Sequence, residues 1–334
     1  MPHRSNHQIL IDHLPQGKLG VEHFRLHEAP MPAAGEGEVL LRTRYVSLDA
    51  ANRAWMAGPT YRAALSAGQL MPGGALAEVI ASRAQGFTAG DLVFTDTGWQ
   101  EYAALPARHL VKLEAAQPLT HLLSVYGIAG LTAYFGLLEC GKPQPGDTVV
   151  VSAAAGSVGM LVGQIAKIKG CRTVGIAGGA AKCTLLTEEF GFDAVVDYKA
   201  GDTFASLRAA CPGGIDVYFD NVGGDILEAC LFNMKNHGRI ACCGAVSQYD
   251  GPPQAGPRGI PGLIVTKRLV MRGFLVMDFF DQREQALADL KSWVQSGRLK
   301  VREDIIDGFE NLPAALIGLL AGDNVGKRMV KVSG

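Results

Sequence analysis

Neither sign of charge is in excess: 31 Lys and Arg stand against 32 Asp and Glu, for a formal net charge of -1. A nucleic-acid binder needs a surplus of basic side chains to meet phosphates, so that class is excluded. Cysteine pairing is missing as well. The seven cysteines (Cys140, Cys171, Cys183, Cys211, Cys230, Cys242 and Cys243) are odd in number and none is spaced C-x-x-C. That pattern makes a poor disulfide framework and a poor zinc ribbon, and it fits a reducing cytosol. The opening stretch, 1–18, holds no apolar run of signal-peptide length. Two runs, 119–138 and 149–166, lack Lys, Arg, Asp and Glu, but glycines interrupt both and the second changes period partway. They are expected to be buried core rather than membrane spans.

Metal and nucleophile signatures are absent too. There is no H-E-x-x-H, no cluster of Cys and His, and no G-x-S-x-G elbow. Five of the eight histidines (His3, His7, His13, His23 and His27) fall in the first 27 residues at irregular spacings. A solvated N-terminal stretch is expected there, not a metal site.

What is present is core material and glycine. Hydrophobic residues make up 48% and charged residues 19%, with 42 Gly against 16 Pro. At about 150 residues per domain the length suggests roughly two domains. The first third reads as short strands set off by glycine, over 38–46, 75–81, 92–95 and 99–105, which suggests a barrel-like antiparallel unit. After about residue 122 the pattern becomes strand–helix alternation. Strands are expected at 148–152, 173–176, 194–197, 217–220 and 239–243, and helices at 160–169, 180–190, 202–210 and 226–234. Such alternation gives a doubly wound parallel α/β sheet. A last strand, 328–332, either extends that sheet or returns to the first unit.

The sharpest local signal is Ser152-Ala153-Ala154-Ala155-Gly156-Ser157-Val158-Gly159. It lies between strand and helix, where amide groups and the helix dipole face a dinucleotide pyrophosphate. Ala154 replaces the first glycine of G-x-G-x-x-G, and a tight strand-to-helix turn without ligand would use the same residues. The next strand ends Gly175-Ile176-Ala177-Gly178-Gly179 with no carboxylate to accept a ribose hydroxyl, and Lys182 follows. That favours NADP over NAD, although Lys182 alone is equally an ordinary solvated lysine. With no metal or nucleophile in view, the chemistry expected is the cofactor's own hydride transfer.

Several segments taken together resemble the medium-chain dehydrogenases/reductases: Tyr126-Gly127-Ile128-Ala129-Gly130-Leu131-Thr132-Ala133-Tyr134, the loop just described, and Asp220-Asn221-Val222-Gly223-Gly224. Ser47-Leu48-Asp49, Gly98-Trp99-Gln100-Glu101-Tyr102, Gly238-Arg239-Ile240, Cys243-Gly244-Ala245 and 322–327 narrow the resemblance to the zinc-independent branch of prostaglandin reductases, alkenal double-bond reductases and curcumin reductase. It spans about 35–332. The resemblance implies a Rossmann NADP-binding domain at 123–299 and a GroES-like substrate domain formed by 1–122 and 300–334. It also implies that the last strand returns to the first unit, and that the protein is a cytoplasmic homodimer free of nucleic acid and membrane. Ser47 and Gly73-Gly74-Ala75 stand where zinc-dependent relatives carry metal ligands, so no metal is expected.

Carried over by position, Gly156, Ser157, Val158 and Gly159 would meet the pyrophosphate. Lys182 and Tyr198 would flank the 2′-phosphate, and Asn221 would reach the ribose. Cys243, Gly244, Ala245, Val246, Ser247, Gln248 and Tyr249 would line the nicotinamide half. Phe274, Leu275 and Val276 would fix its carboxamide, with Asn324 a further contact. By their residues alone, 274–276 read as a core strand and Tyr198 as a surface tyrosine. Thr266 falls about where prostaglandin reductases carry a substrate tyrosine, which sets their bulky lipid substrates aside.

The implied reaction is NADPH-dependent reduction of the double bond of an enone or enal. Tyr249 and the cofactor ribose hydroxyl would hold the enolate, with Tyr61 and Tyr45 as weaker candidates on the substrate side. A quinone reductase on the same scaffold, or an NADPH-binding sensor without turnover, would share these features.

Overall fold

The computed structural model describes residues 5–250, 256–257 and 259–332. Its first strands are β1 (Ser5–Ile11), β2 (Phe24–Pro30) and β3 (Glu38–Ser47), followed by helix α1 (Ala51–Ala57). Strands β4 (Gly74–Ser82), β5 (Leu92–Asp96), β6 (Tyr102–Pro106) and β7 (Val111–Leu113) complete this part. After α2 (Ile128–Phe135) strands and helices alternate: β8 (Thr148–Val151), α3 (Gly159–Ile168), β9 (Arg172–Ala177), α4 (Ala180–Glu188) and β10 (Ala194–Asp197). The alternation continues through α5 (Thr203–Ala210), β11 (Ile215–Asp220), α6 (Gly224–Asn233), β12 (Met234–Cys242), α7 (Ile260–Lys267) and β13 (Val270–Gly273). The chain then runs through α8 (Arg283–Gln295), β14 (Glu303–Asp307), α9 (Leu312–Ala321) and β15 (Lys327–Lys331).

The parallel sheet has the order β10-β9-β8-β11-β12-β13. Its central strand explains why the sequence there is apolar without alternation. Val149 and Val151 pack into one core with Leu161, Val162 and Ile165 of α3, while Val150 points into a second core with Leu207, Leu227 and Leu231. A parallel strand covered on both faces reads as a continuous β-branched run. Helix α3 lies close to the sheet because Gly163 leaves room for the Phe192 ring, which a Cβ there would approach to 1.9 Å. The stretches 119–138 and 149–166 are mostly buried here, as expected, and no helix among the described residues is long and apolar enough to cross a membrane.

The second sheet runs β14-β15-β3-β4-β5-β7, with β6 also paired to β3. β3 alternates as a half-buried strand should, with Val39, Leu41 and Thr43 inward. β15 pairs antiparallel with β3 (Val330 opposite Val46) and parallel with β14, so the last strand does return to the first unit. The strand expected from Trp99 begins at Tyr102 instead; Trp99 is wholly buried.

The N-terminal stretch needs correction. Over 5–30 it is an antiparallel pair of strands, β1 with β2, although the His7 and His13 side chains are about half exposed; His3 lies outside the described residues. Ile9, Ile11 and Asn6 are buried and His23 is 7% exposed. Asn6 is held by donating to Gln100 Oε1 (3.1 Å) and to the Tyr102 carbonyl (2.9 Å). A buried amide is tolerable only with such partners, and these lie far along the chain.

Candidate active site

β8 and β11 are neighbours in space, but the chain leaves β8 toward β9 on one side and β11 toward β12 on the other. Doubly wound sheets bind ligands at such a switch point, beyond the carboxyl ends of the strands. The loop after β8 turns at Ala153, whose φ of 47° is left-handed. Gly159 is required there, because a Cβ would fall 2.3 Å from the Ala153 carbonyl oxygen; at Gly156 the same distance is 3.1 Å. The loop is buttressed from outside its own sheet: Gly326 N–H donates to the Ala155 carbonyl (2.8 Å), and Gly156 bridges Gly326. Asn324 Nδ2 donates to the Gly326 carbonyl (2.9 Å). The Ser157 hydroxyl is buried with no partner among the described residues. An orphaned hydroxyl costs about 1–3 kcal/mol, and a phosphate oxygen would satisfy it.

Beyond β9, Lys182 donates to the Gly322 carbonyl (2.5 Å), and the Lys199 ammonium sits 6.0 Å from the centre of the Tyr198 ring. Gly178 lies under that ring. Burial first, and then the nearby Lys199 charge, lower the Lys182 pKa. Two cations thus converge where no carboxylate ends the strand. Lys199 escaped the sequence analysis because it follows β10 rather than β9. Tyr198 is 42% exposed.

After β11 the organising residue is Asp220, 2% exposed. Its Oδ1 accepts from the Tyr218 hydroxyl (2.7 Å) and from the N–H groups of Val222 (3.0 Å) and Gly223 (2.9 Å). Asn221 Nδ2 donates to the Ser152 carbonyl (2.8 Å), tying this turn to the loop after β8. The segment after β12 then folds onto the same turn by backbone bonds. Cys243 and Gly244 N–H groups donate to the Asp220 carbonyl, Val246 to Asn221 and Ser247 to Val222. Within it Ala245 N–H donates to the Tyr249 hydroxyl oxygen (3.0 Å).

These turns wall a cleft of about 590 Å³ lined by Asp220, Gly223, Cys243, Gly244, Tyr249 and Phe274. Gln248, Ala245 and Leu275 also reach it. Burial raises the Tyr249 pKa despite the Ala245 hydrogen bond, and it pushes the Cys243 thiol to about 12 with help from Asp220. Both groups keep their protons at neutral pH. The Phe274 ring packs edge-on to Phe219 with centroids 6.2 Å apart, and a Cβ on Gly136 would strike it. The side chain is half-buried, packed against the core on one side and open to the cleft on the other, and Val276 is buried. Residues 274–276 are not a strand, since β13 ends at Gly273.

Tyr61 is 52% exposed, accepts from Trp55 Nε1 (3.1 Å), and lies close enough to Tyr249 and Asp49 for their charges to act on its pKa. Tyr45 does not belong with these residues; it packs against the Leu76–Leu122–Leu123–Met329 cluster. Thr266 is exposed on α7, where its hydroxyl donates to the Gly262 carbonyl (2.8 Å). In the region of the expected metal-ligand replacements, Ser47 Oγ donates to Asp49 Oδ2 (2.7 Å). Lys327, 2% exposed, donates to Asp49 Oδ1 (2.5 Å) and to the Leu48 carbonyl (2.9 Å). No group of three His, Cys, Asp or Glu among the described residues could hold a metal ion.

Comparison with known proteins agrees with this architecture. The family model described as the N-terminal domain of oxidoreductase matches residues 7–113, and that described as zinc-binding dehydrogenase matches 157–292. The NADPH-dependent curcumin reductase of Escherichia coli (strain K12) is 42% identical, covering 98% of this chain and 97% of its own. Prostaglandin reductase 1 of Bos taurus is 40% identical over 92% of this chain and 93% of its own. The crystal structure of CurA in complex with NADPH from Vibrio vulnificus superposes with a TM-score of 0.94 at 38% identity, covering 98% of this chain and 99% of that one. The chain belongs to the medium-chain dehydrogenase/reductase family, in the branch that holds the curcumin and prostaglandin reductases.

Proposed function

We propose that this protein reduces the carbon–carbon double bond of α,β-unsaturated ketones and aldehydes at the expense of NADPH. The supporting observation is that the Ser157 loop and the Tyr249 cleft open from the same edge of the parallel sheet, on either side of its switch point. Gly156, Ser157, Val158 and Gly159 hold the pyrophosphate, the Ser157 hydroxyl gaining the partner it lacks. Lys182, Lys199 and Tyr198 receive the 2′-phosphate, where two ammonium groups favour an anion. Asn221, Asn324 and 243–249 line the rest, with the backbone of Phe274, Leu275 and Val276 meeting the carboxamide. When bound, NADPH supplies a hydride to the β-carbon.

The chain's own work is to align the acceptor and to meet the negative charge that gathers on its carbonyl oxygen. Tyr249 suits that task. Its oxygen already accepts the Ala245 N–H, so its own hydrogen is left to donate, and its raised pKa keeps that hydrogen in place. Tyr61 closes the substrate side.

We further propose the division into 1–122 with 300–334 and 123–299, and a cytoplasmic homodimer. The seven thiols are free, which suits a reducing compartment. Among the described residues β13 is an open sheet edge, and Val265, Val270, Leu275, Met277 and Phe280 are exposed around it. An uncovered apolar edge of this kind favours pairing with a second copy.

The test is loss of reduced-nicotinamide absorbance with a straight-chain enone, with a quinone and NADH run alongside. Rapid loss with NADPH and the enone, giving the saturated ketone, supports the proposal. Turnover of the quinone alone, or NADPH binding without turnover of either, rejects it.

A further inference from the structure

The segment carrying Tyr249 is fastened to α1 by a buried ion pair. Arg53, on α1, has a side chain only 4% exposed, and Asp250, the residue after Tyr249, is 13% exposed. Arg53 Nε donates to Asp250 Oδ1 (3.1 Å), and the Leu19 N–H donates to the same oxygen (2.7 Å). Arg53 Nη2 donates to the Gly17 carbonyl (2.8 Å). No other ion pair among the described residues has both side chains this buried. Taking two charges out of water is costly, and the best-attested return for that cost is registry between elements. Here the elements joined are α1 with 17–19 and the 243–250 segment.

We propose that Arg53 and Asp250 are positioning residues that set the Tyr249 hydroxyl against the substrate carbonyl. The inference rests on the role of Tyr249 proposed above. Tyr249 is fixed at its tip by the Ala245 N–H and at its backbone by the neighbouring Asp250 carboxylate. Loss of the second anchor leaves the ring free to swing with the 246–248 turn. A shift of about 1 Å at a reacting group is enough to slow a reaction by one to two orders of magnitude.

The test uses the full chain with NADPH and cyclohexenone. Asp250→Ala, Asp250→Asn and Arg53→Lys are each made alone and on a Tyr249→Phe background. Asp250→Ala is expected to lower kcat about tenfold while the NADPH Kd stays unchanged. Asp250→Asn, which still accepts the Leu19 N–H, recovers part of that loss, and it carries the test if the alanine variant does not fold. On the Tyr249→Phe background the Asp250 and Arg53 substitutions cost little, because the group they position is gone. Equal losses on both backgrounds, or a loss confined to NADPH affinity, overturn the proposal while leaving the Tyr249 role intact. Full activity of Tyr249→Phe alone removes the donor role and this proposal together.

Discussion

The turns that line the cleft and the α1 region that meets them at Asp250 are built differently. The turns rest on backbone contacts keyed by a few buried side chains. At 152–159, 220–224 and 243–249 main-chain bonds combine with the Asp220 carboxylate and the Asn221 and Tyr249 side chains, and Gly159 leaves no room for a Cβ. The α1 region is held by side chains on side chains: Lys327 on Asp49, Arg53 reaching over to Asp250 of the segment after β12, and Arg62 on both Asp96 and the Trp55 ring. A turn held by backbone tolerates most side-chain changes and fails where a methyl group will not fit. A region held by side chains can be retuned by single substitutions, each with its own electrostatic cost.

The strongest test of this contrast is the Lys327–Asp49 pair. Asp49→Ala strands an ammonium group that is 2% exposed and should cost about 3–5 kcal/mol in urea unfolding. Lys327→Met leaves a carboxylate that is 42% exposed and can hydrate, so about 1 kcal/mol is expected. Equal losses would break the picture of a region governed by burial of individual charges. Burial works to raise the Asp49 pKa, but the Lys327 charge and the hydrogen bonds from Lys327 and Ser47 outweigh it and leave the value below 3.8. A depressed carboxyl stabilises the fold above its unfolded pKa and loses that contribution as pH falls through its folded one. Wild type should therefore lose stability in acid more steeply than Asp49→Asn.

In the turns, Gly159→Ala forces a Cβ to 2.3 Å from a carbonyl oxygen, whereas Gly156→Ala meets one at 3.1 Å. Overpacking of the first kind costs about 3 kcal/mol, visible in the melting temperature and in NADPH titration, and the second should cost clearly less. If both are tolerated, the loop is softer than its geometry implies. Lys182→Ala should weaken NADPH about tenfold, or about 1.4 kcal/mol, and leave NADH unchanged. Parallel losses for both cofactors would move the 2′-phosphate elsewhere. The smallest effect concerns Cys243, whose thiol lies near 12. It should resist iodoacetamide at neutral pH in the native protein and react on unfolding, as mass spectrometry of the peptide would report.

Much of this molecule is legible from periodicity. The alternation after residue 122 predicts each strand of the parallel sheet from β8 to β12, because a buried β-branched run and a helical face differ in period. The loop at 152–159 is legible because glycine marks where backbone must approach backbone or ligand, whereas the Asp220 turn is legible only through the family resemblance. The hairpin β1–β2 is not, since its register depends on Asn6 reaching Gln100 and Tyr102 far along the chain. Arg53 with Asp250, and Lys182 with Lys199, are equally invisible, for they are joined only by folding. Tyr45 misleads for the converse reason: an aromatic beside a motif can as easily be core.

The bridge between Gly156 and Gly326 has a consequence for biosynthesis. The phosphate loop emerges from the ribosome well before the strand that buttresses it, so a nascent chain can assemble its parallel sheet while the Ala155 carbonyl still awaits its partner. A truncated product without β15 would keep every residue of the Gly156–Gly159 loop and lose the Gly326 contact on the Ala155 carbonyl.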